Sequence, residues 1–219
     1  MKKKIIAING SPRQNGNTAE ILRHALNGAE KGGAETELIH LGSLTFSGCK
    51  SCFSCKLKNG KSYGKCALND DLTPVLDAIL SCDGLLIGTP VYFGGESGLC
   101  RNLIERLLFP CLRYDAEHSS LTSKKFPLAL VYTMNVPADL MEKIQYPEHF
   151  GMLQKFTGRI LGNTPPEILY VCDTFQFSDY SLYDAPLFDP VHKKEVRESR
   201  FPEDCRKAFA IGEKFAGMA

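Results

Sequence analysis

Residues 5–8 (Ile-Ile-Ala-Ile) form an unbroken apolar run that stops at Asn9 and Gly10, as a strand buried on both faces does. A helical pattern opens near Thr18, keeps Ile21, Leu22, Ala25, Leu26 and Ala29 on one face, and ends around Gly32-Gly33. Residues 35–41 alternate only weakly and read as a less buried edge strand, followed by a long connection at 42–70. Leu72, Val75, Leu76, Ile79 and Leu80 then sit at the i, i+3, i+4, i+7, i+8 spacing of a helix that Asp70 or Asp71 would cap. A third strand is predicted over 84–88, a helix carrying Leu99, Leu103, Ile104, Leu107 and Leu108, and a fourth strand over 127–132. A helix near 149–161, a fifth strand over 167–171 and a last helix within 202–216 complete the pattern, with irregular loops at 110–125 and 133–146. Strands that alternate with helices five times predict an α/β, doubly wound, five-stranded parallel sheet with helices on both faces. Residues 1–172 form that domain, and residues 173–219 are a C-terminal extension whose final helix packs on it.

Composition narrows the picture. The 219 residues are 43% hydrophobic and 23% charged, which is an ordinary globular balance and suits one core with decorated loops. A formal net charge of +1 without a long basic run offers no footprint for nucleic acid and favours a small-molecule substrate. Lys2, Lys3 and Lys4 precede an apolar segment too short for a signal peptide. No stretch approaches the ~20 apolar residues of a bilayer span, so a cytoplasmic location and no membrane partner are expected. Nine cysteines, an odd number, then point to thiols or metal ligands rather than disulfides.

The turn after the first strand reads G-S-P-R-Q-N-G-N-T. Unpaired N–H groups and the helix dipole make a helix start an anion site, to which Ser11, Arg13, Asn15, Gly16, Asn17 and Thr18 add backbone, hydroxyl, amide and guanidinium donors. The spacing of Gly10 and Gly16, with Asn17 where a lysine would stand, fits neither a nucleoside-triphosphatase loop nor a dinucleotide fingerprint. It suits a single phosphate monoester such as that of FMN; the plainer alternative is an ordinary strand-to-helix connection with Asn17 as N-cap. In a parallel sheet all strand-to-helix loops leave one edge, which gathers this turn, the 42–70 connection and T-P-V-Y-F-G-G at 89–95. Pro90, Val91, Tyr92, Phe93 and Gly94 could lie along a flat ring, with Thr133, Met134 and Asn135 as a further wall. Alternatively Tyr92 and Phe93 are a core aromatic pair. The five histidines show no metal-helix spacing, and Gly95-Glu96-Ser97-Gly98 misses the nucleophile-elbow spacing, so no hydrolase can be built.

Cys49, Cys52, Cys55 and Cys66 are spaced C-x2-C-x2-C-x10-C. Three thiolates at intervals of three can face one cluster and a fourth completes the set that an iron–sulfur cube requires, whereas zinc more naturally uses two separated C-x2-C knuckles. Lys50, Lys56, Lys58, Lys61 and Lys65 would favour thiolates in either case and suit metal-free reactive thiols equally. A [4Fe-4S] cluster, free thiols and zinc therefore all stay open. Cys82, Cys100, Cys111, Cys172 and Cys205 lie in or beside predicted elements and read as buried or incidental.

The G-S-P-R-x-x-G-N-T turn, the T-P-V-Y-F-G stretch and the cysteines between them resemble the flavodoxin-like NAD(P)H-dependent FMN reductases, and the cysteines resemble those of the iron–sulfur flavoproteins. The resemblance covers about residues 4–170. It implies strand order 2-1-3-4-5, with FMN where strands 1 and 3 diverge, NAD(P)H as co-substrate, and a homodimer or tetramer. The activity implied moves electrons from NAD(P)H or a redox protein donor through FMN to a small acceptor such as a quinone or a free flavin. No protein acid or base is then obligatory, because the ring carries the hydride. An electron-transfer module and a thiol or zinc redox sensor on the same scaffold are the alternatives. The chain departs from the iron–sulfur flavoproteins in its longer fourth interval, and Ala67 follows Cys66 in place of the proline common in ferredoxins. The longer loop can still close, since doubling its length adds only about 0.6 kcal/mol.

Overall fold

Strand β1 (Lys4–Asn9) lies inside the sheet, and its residues 5–9 are completely buried. The computed structural model, which describes residues 2–218, pairs β1 in parallel with β2 (Glu35–His40) on one side and β3 (Gly84–Tyr92) on the other. β3 pairs with β5 (Leu128–Thr133) and β5 with β6 (Glu167–Val171), again in parallel, giving the order β2-β1-β3-β5-β6. That is the flavodoxin-like 2-1-3-4-5 arrangement of the five parallel strands.

The sheet has six strands where five were expected. β3 runs on past Gly88 through Pro90 to Tyr92, and the two-residue strand β4 (Gly95–Glu96) folds back on it antiparallel, pairing Tyr92 with Gly95. The turn between them is Phe93 (φ 51°) and Gly94 (φ 79°), both left-handed, the form that matches strand twist in two-residue hairpins. A phenylalanine at the first turn position hides this hairpin from pattern reading.

Alternate residues of the sheet feed two cores. Ile5, Ala7, Leu86, Ala129 and Val131 face α1 (Asn17–Lys31) and α7 (Phe201–Gly217). Ile6, Ile8, Leu85, Ile87, Leu128 and Leu130 face α2 (Leu72–Ser81), α3 (Gly98–Cys111) and α5 (Tyr146–Leu161). The α1–α7 crossing depends on glycine: a Cβ at Gly28 would lie 2.0 Å from the Phe209 carbonyl oxygen, and one at Gly212 1.7 Å from that of Ala25.

Two helices escape the apolar pattern. α4 (Ala138–Lys143) occupies part of the expected irregular loop at 133–146, and α6 (Pro190–Ser199) lies in the extension. α6 buries only Lys193 and Val196, too few apolar positions to give a period. It is set instead by Asp189, whose side chain accepts from the Val191 N–H, and by Pro190 in its first turn.

Candidate functional site

The turn after β1 is folded around Asn9, a buried residue that apolar patterning does not single out. Its Oδ1 accepts from the Ser11 N–H (3.0 Å), and its Nδ2 donates to the Arg13 carbonyl (3.2 Å) and lies 2.9 Å from His40 Nδ1. Burial, then Arg23, pushes the His40 pKa down, which favours the neutral ring beside this amide. Asn directly after an apolar run is the one local signal that could have identified such a turn. The Ser11 hydroxyl accepts from the Arg13 N–H (3.1 Å), and the Ser97 hydroxyl donates to the Gly10 carbonyl (2.6 Å). α1 then begins at Asn17, with Gly16 rather than Asn17 as its N-cap and no side chain capping it, so its first N–H groups face outward.

These residues open into a cavity of about 720 Å³. Ser11, Arg13, Asn15, Gly16, Asn17 and Thr18 all line it, and the structure brings Pro90, Tyr92 and Thr133 to the same space. The Thr18 and Thr133 hydroxyls pair at 2.7 Å, joining the first turn of α1 to the end of β5. Val91, Phe93, Gly94, Met134 and Asn135 are not on the cavity wall. Val91 packs against the core, Phe93 projects fully exposed from the hairpin tip, and a Cβ on Gly94 would stand 3.4 Å from Tyr146. Met134 is buried in the core and Asn135 directs its carbonyl to Lys193.

The extension contributes a wall to which the apolar pattern assigns no role. Phe175, Gln176, Phe177 and Ser178 line the cavity. Arg13 donates to the Gln176 carbonyl (3.0 Å) and Asn17 to that of Phe175 (2.9 Å), so this strap lies against the turn. It is anchored at Asp173, which is buried, left-handed (φ 58°), and bonded to the buried Lys193 ammonium and to His192 Nε2 (2.7 Å). Burial alone would raise the Asp173 pKa, but Lys193 and His192 outweigh it and hold the carboxyl below its ordinary value.

The connection at 42–70 contains only short single-turn helices, at Leu41–Ser43 and Ser54–Lys56. Ser51 (φ 50°) and Phe53 (φ 56°) take left-handed backbone between the first three cysteines, a strain of about 1–2 kcal/mol each. Cys49, Cys52, Cys55 and Cys66 line one concavity with Arg106 and Phe109. Cys49 and Cys52 are exposed, Cys66 is half-buried and Cys55 is buried. The backbone N–H of Ser54, then its hydroxyl, draw the Cys52 pKa down, while burial pushes that of Cys55 up. Lys56 does not face the thiols as a free charge. Its ammonium donates to the carbonyls of Phe109 and Leu112 at the end of α3 and lies 4.7 Å from the Phe109 ring centre.

Among the described residues no three of these Sγ atoms lie within 4.8 Å of one another. A tetrahedral zinc with Zn–S bonds of about 2.3 Å requires S···S separations of ~3.8 Å, closer than these thiols stand. The group that does meet this limit is Glu20, His24 and Cys205 on the α1–α7 face. There both Glu20 oxygens accept from Arg197 Nη2 (2.8 and 2.7 Å), which already balances the carboxylate. Among the described residues no helix is long and apolar enough to cross a membrane.

A family model described as NADPH-dependent FMN reductase matches residues 3–138. An iron-sulfur flavoprotein of Methanocaldococcus jannaschii is 41% identical over 103 residues, covering 47% of this chain and 51% of that protein. One of Archaeoglobus fulgidus is also 41% identical over 103 residues, covering 47% and 48%. The chain thus spans about half the length of the curated relatives it matches. Among solved structures, an NAD(P)H:quinone oxidoreductase from Methanothermobacter marburgensis superposes with a TM-score of 0.70 at 12% identity, covering 97% of this chain and 98% of that one. RosB with a bound intermediate gives 0.66 at 17% identity, covering 98% and 79%. At these identities the structural likeness is one of fold.

Proposed function

The chain belongs to the NADPH-dependent FMN reductase family, and on that premise we propose that it is an oxidoreductase that holds FMN in the 720 Å³ cavity. It would take electrons from NAD(P)H or a redox protein donor and pass them to a small acceptor such as a quinone or a free flavin. When bound, FMN supplies the capacity to accept a hydride and release electrons singly or in pairs.

The observation that carries this reading is the uncapped start of α1 opening into a cavity lined by all six donor residues of the turn. An uncapped helix start leaves N–H groups that water or an anion must satisfy, and a phosphate monoester does so with charge. Ser11 and Arg13 add a hydroxyl and a guanidinium, and the buried Thr18–Thr133 pair fixes the floor. Pro90 and Tyr92 would offer a flat edge to the ring, and the strap at 175–178 would form a further wall of the site.

We further propose a [4Fe-4S] cluster on Cys49, Cys52, Cys55 and Cys66. Their chemistry fits that group: four thiols line one small concavity, and two of them are exposed and able to take up iron and sulfide from solvent. Exposed Phe53 and Tyr114 both stand edge-on to Phe109, an apolar patch that would suit the homodimer or tetramer the resemblance implies.

Protein purified without air is expected to show flavin absorption that bleaches with NADH or NADPH, with about four irons per chain after reconstitution. Bound flavin that no nicotinamide reduces would instead support the electron-transfer module. Protein that takes up no FMN refutes the flavin reading.

A further inference from the structure

Arg106, on α3, is the largest fully buried side chain among the described residues, and its surroundings tie it to the cysteine loop. Nε donates to Cys66 Sγ at 3.3 Å, and Nη2 donates to the Leu68 carbonyl at 3.3 Å. Nη1 donates to the Ser47 carbonyl at 3.1 Å and to Asp70 Oδ2 at 2.5 Å. Ser47 stands two residues before Cys49, and Leu68 two residues after Cys66. One guanidinium therefore holds both ends of the four-cysteine segment. Asp70 balances its charge while also accepting from the Leu72 N–H at the start of α2.

This arrangement answers the difficulty of the ten-residue gap between Cys55 and Cys66. A flexible connection of that length leaves the fourth sulfur free to wander, whereas Arg106 sets its position from a rigid helix. Only a planar fork can reach a sulfur, two carbonyls and a carboxylate in fixed directions; an ammonium has three donors on one atom. A buried cation that hydrogen-bonds a ligand sulfur also favours the more negative, reduced state of a cluster.

We propose that Arg106 is a positioning residue for the four-sulfur site: it closes the cysteine loop, brings Cys66 to the other three thiols and raises the reduction potential of a cluster held there. The inference rests on the cluster reading above. A plain helix-to-loop tether would close the loop but leave the potential unmoved.

The test compares the full chain with Arg106→Gln, Arg106→Lys and Asp70→Asn. In metal-free protein, tryptic nicking at Lys58, Lys61 and Lys65 should be at least tenfold faster in Arg106→Gln, with FMN content unchanged. After anaerobic reconstitution with iron and sulfide, an EPR-monitored titration should show the reduced-to-oxidised ratio lowered about tenfold at a fixed potential, ~59 mV for one electron. Arg106→Lys should recover part of the potential, because it keeps the charge, but not the resistance to nicking. Should Arg106→Gln fail to fold, Asp70→Asn still tests the site: it loosens the same guanidinium and must speed nicking, and because it removes the balancing negative charge it must raise the potential rather than lower it. Unchanged nicking overturns the closure, and faster nicking with an unchanged potential reduces Arg106 to a tether. If wild-type protein takes up no iron, the cluster reading fails, while nicking of the metal-free chain still decides whether Arg106 closes the loop.

Discussion

Lys193→Met should unlock the C-terminal extension. Asp173 is 2% exposed and Lys193 3%, so the carboxylate would be left buried with the His192 ring as its remaining side-chain partner. Removing one member of a buried pair costs about 3–5 kcal/mol, because the other charge stays desolvated. The hydrogen bond between His192 Nε2 and Asp173 recovers part of this, and the lost bond to the Asn135 carbonyl adds about 1 kcal/mol. We expect a net loss of about 3 kcal/mol at neutral pH, a large share of the ~5–15 kcal/mol of a typical domain. Urea unfolding followed by circular dichroism should show a lower midpoint at unchanged slope. Asp173→Asn, which tolerates the left-handed backbone, should cost a similar amount. The double variant, which buries no charge, should cost at least ~2 kcal/mol less than the sum of the two. Because the strap at 175–178 hangs from this anchor, FMN affinity should fall as well. A single-variant loss below about 1 kcal/mol, or additive losses, would refute the reasoning.

Three further outcomes follow from the geometry. The folded-state pKa of Asp173 is lowered, so its contribution is present above the unfolded carboxylate value of about 3.9 and is lost as pH falls from there through the folded value. Wild-type urea midpoints should accordingly drop more steeply below about pH 5 than those of Asp173→Asn, and parallel curves would contradict this. Gly212→Ala places a Cβ 1.7 Å from the Ala25 carbonyl and must push α1 and α7 apart. A loss of about 3 kcal/mol, roughly 6–12 °C in Tm, is expected by calorimetry, and an unchanged Tm would show that the crossing is looser than described. Arg13→Ala combined with Thr18→Ala should weaken FMN by at least one to two decades, on about 1.5–3 kcal/mol per charge-assisted bond, yet leave riboflavin binding nearly unchanged. Equal loss of both ligands would remove the phosphate from this turn.

Apolar spacing was enough for the parallel sheet and most of its helices. β1 is buried on both faces, and α1, α2 and α3 each turn a stripe of Leu, Ile, Val or Ala to the core, so burial is written in the local period. The polar turn after β1 stood out for the same reason, since a helix start and its donors are contiguous in sequence. The β3–β4 hairpin was not, because Phe93 takes a backbone form that its residue type disfavours. α6 was not either, because it buries a lysine where a period would need an aliphatic residue. Only the tertiary structure joined Thr18 to Thr133, Arg13 to Gln176, Lys193 to Asp173 and Arg106 to Cys66. Apolar burial is non-directional, so spacing alone reports it. A buried polar group needs one particular partner at hydrogen-bond distance, and which distant residue supplies it is decided by how the elements pack.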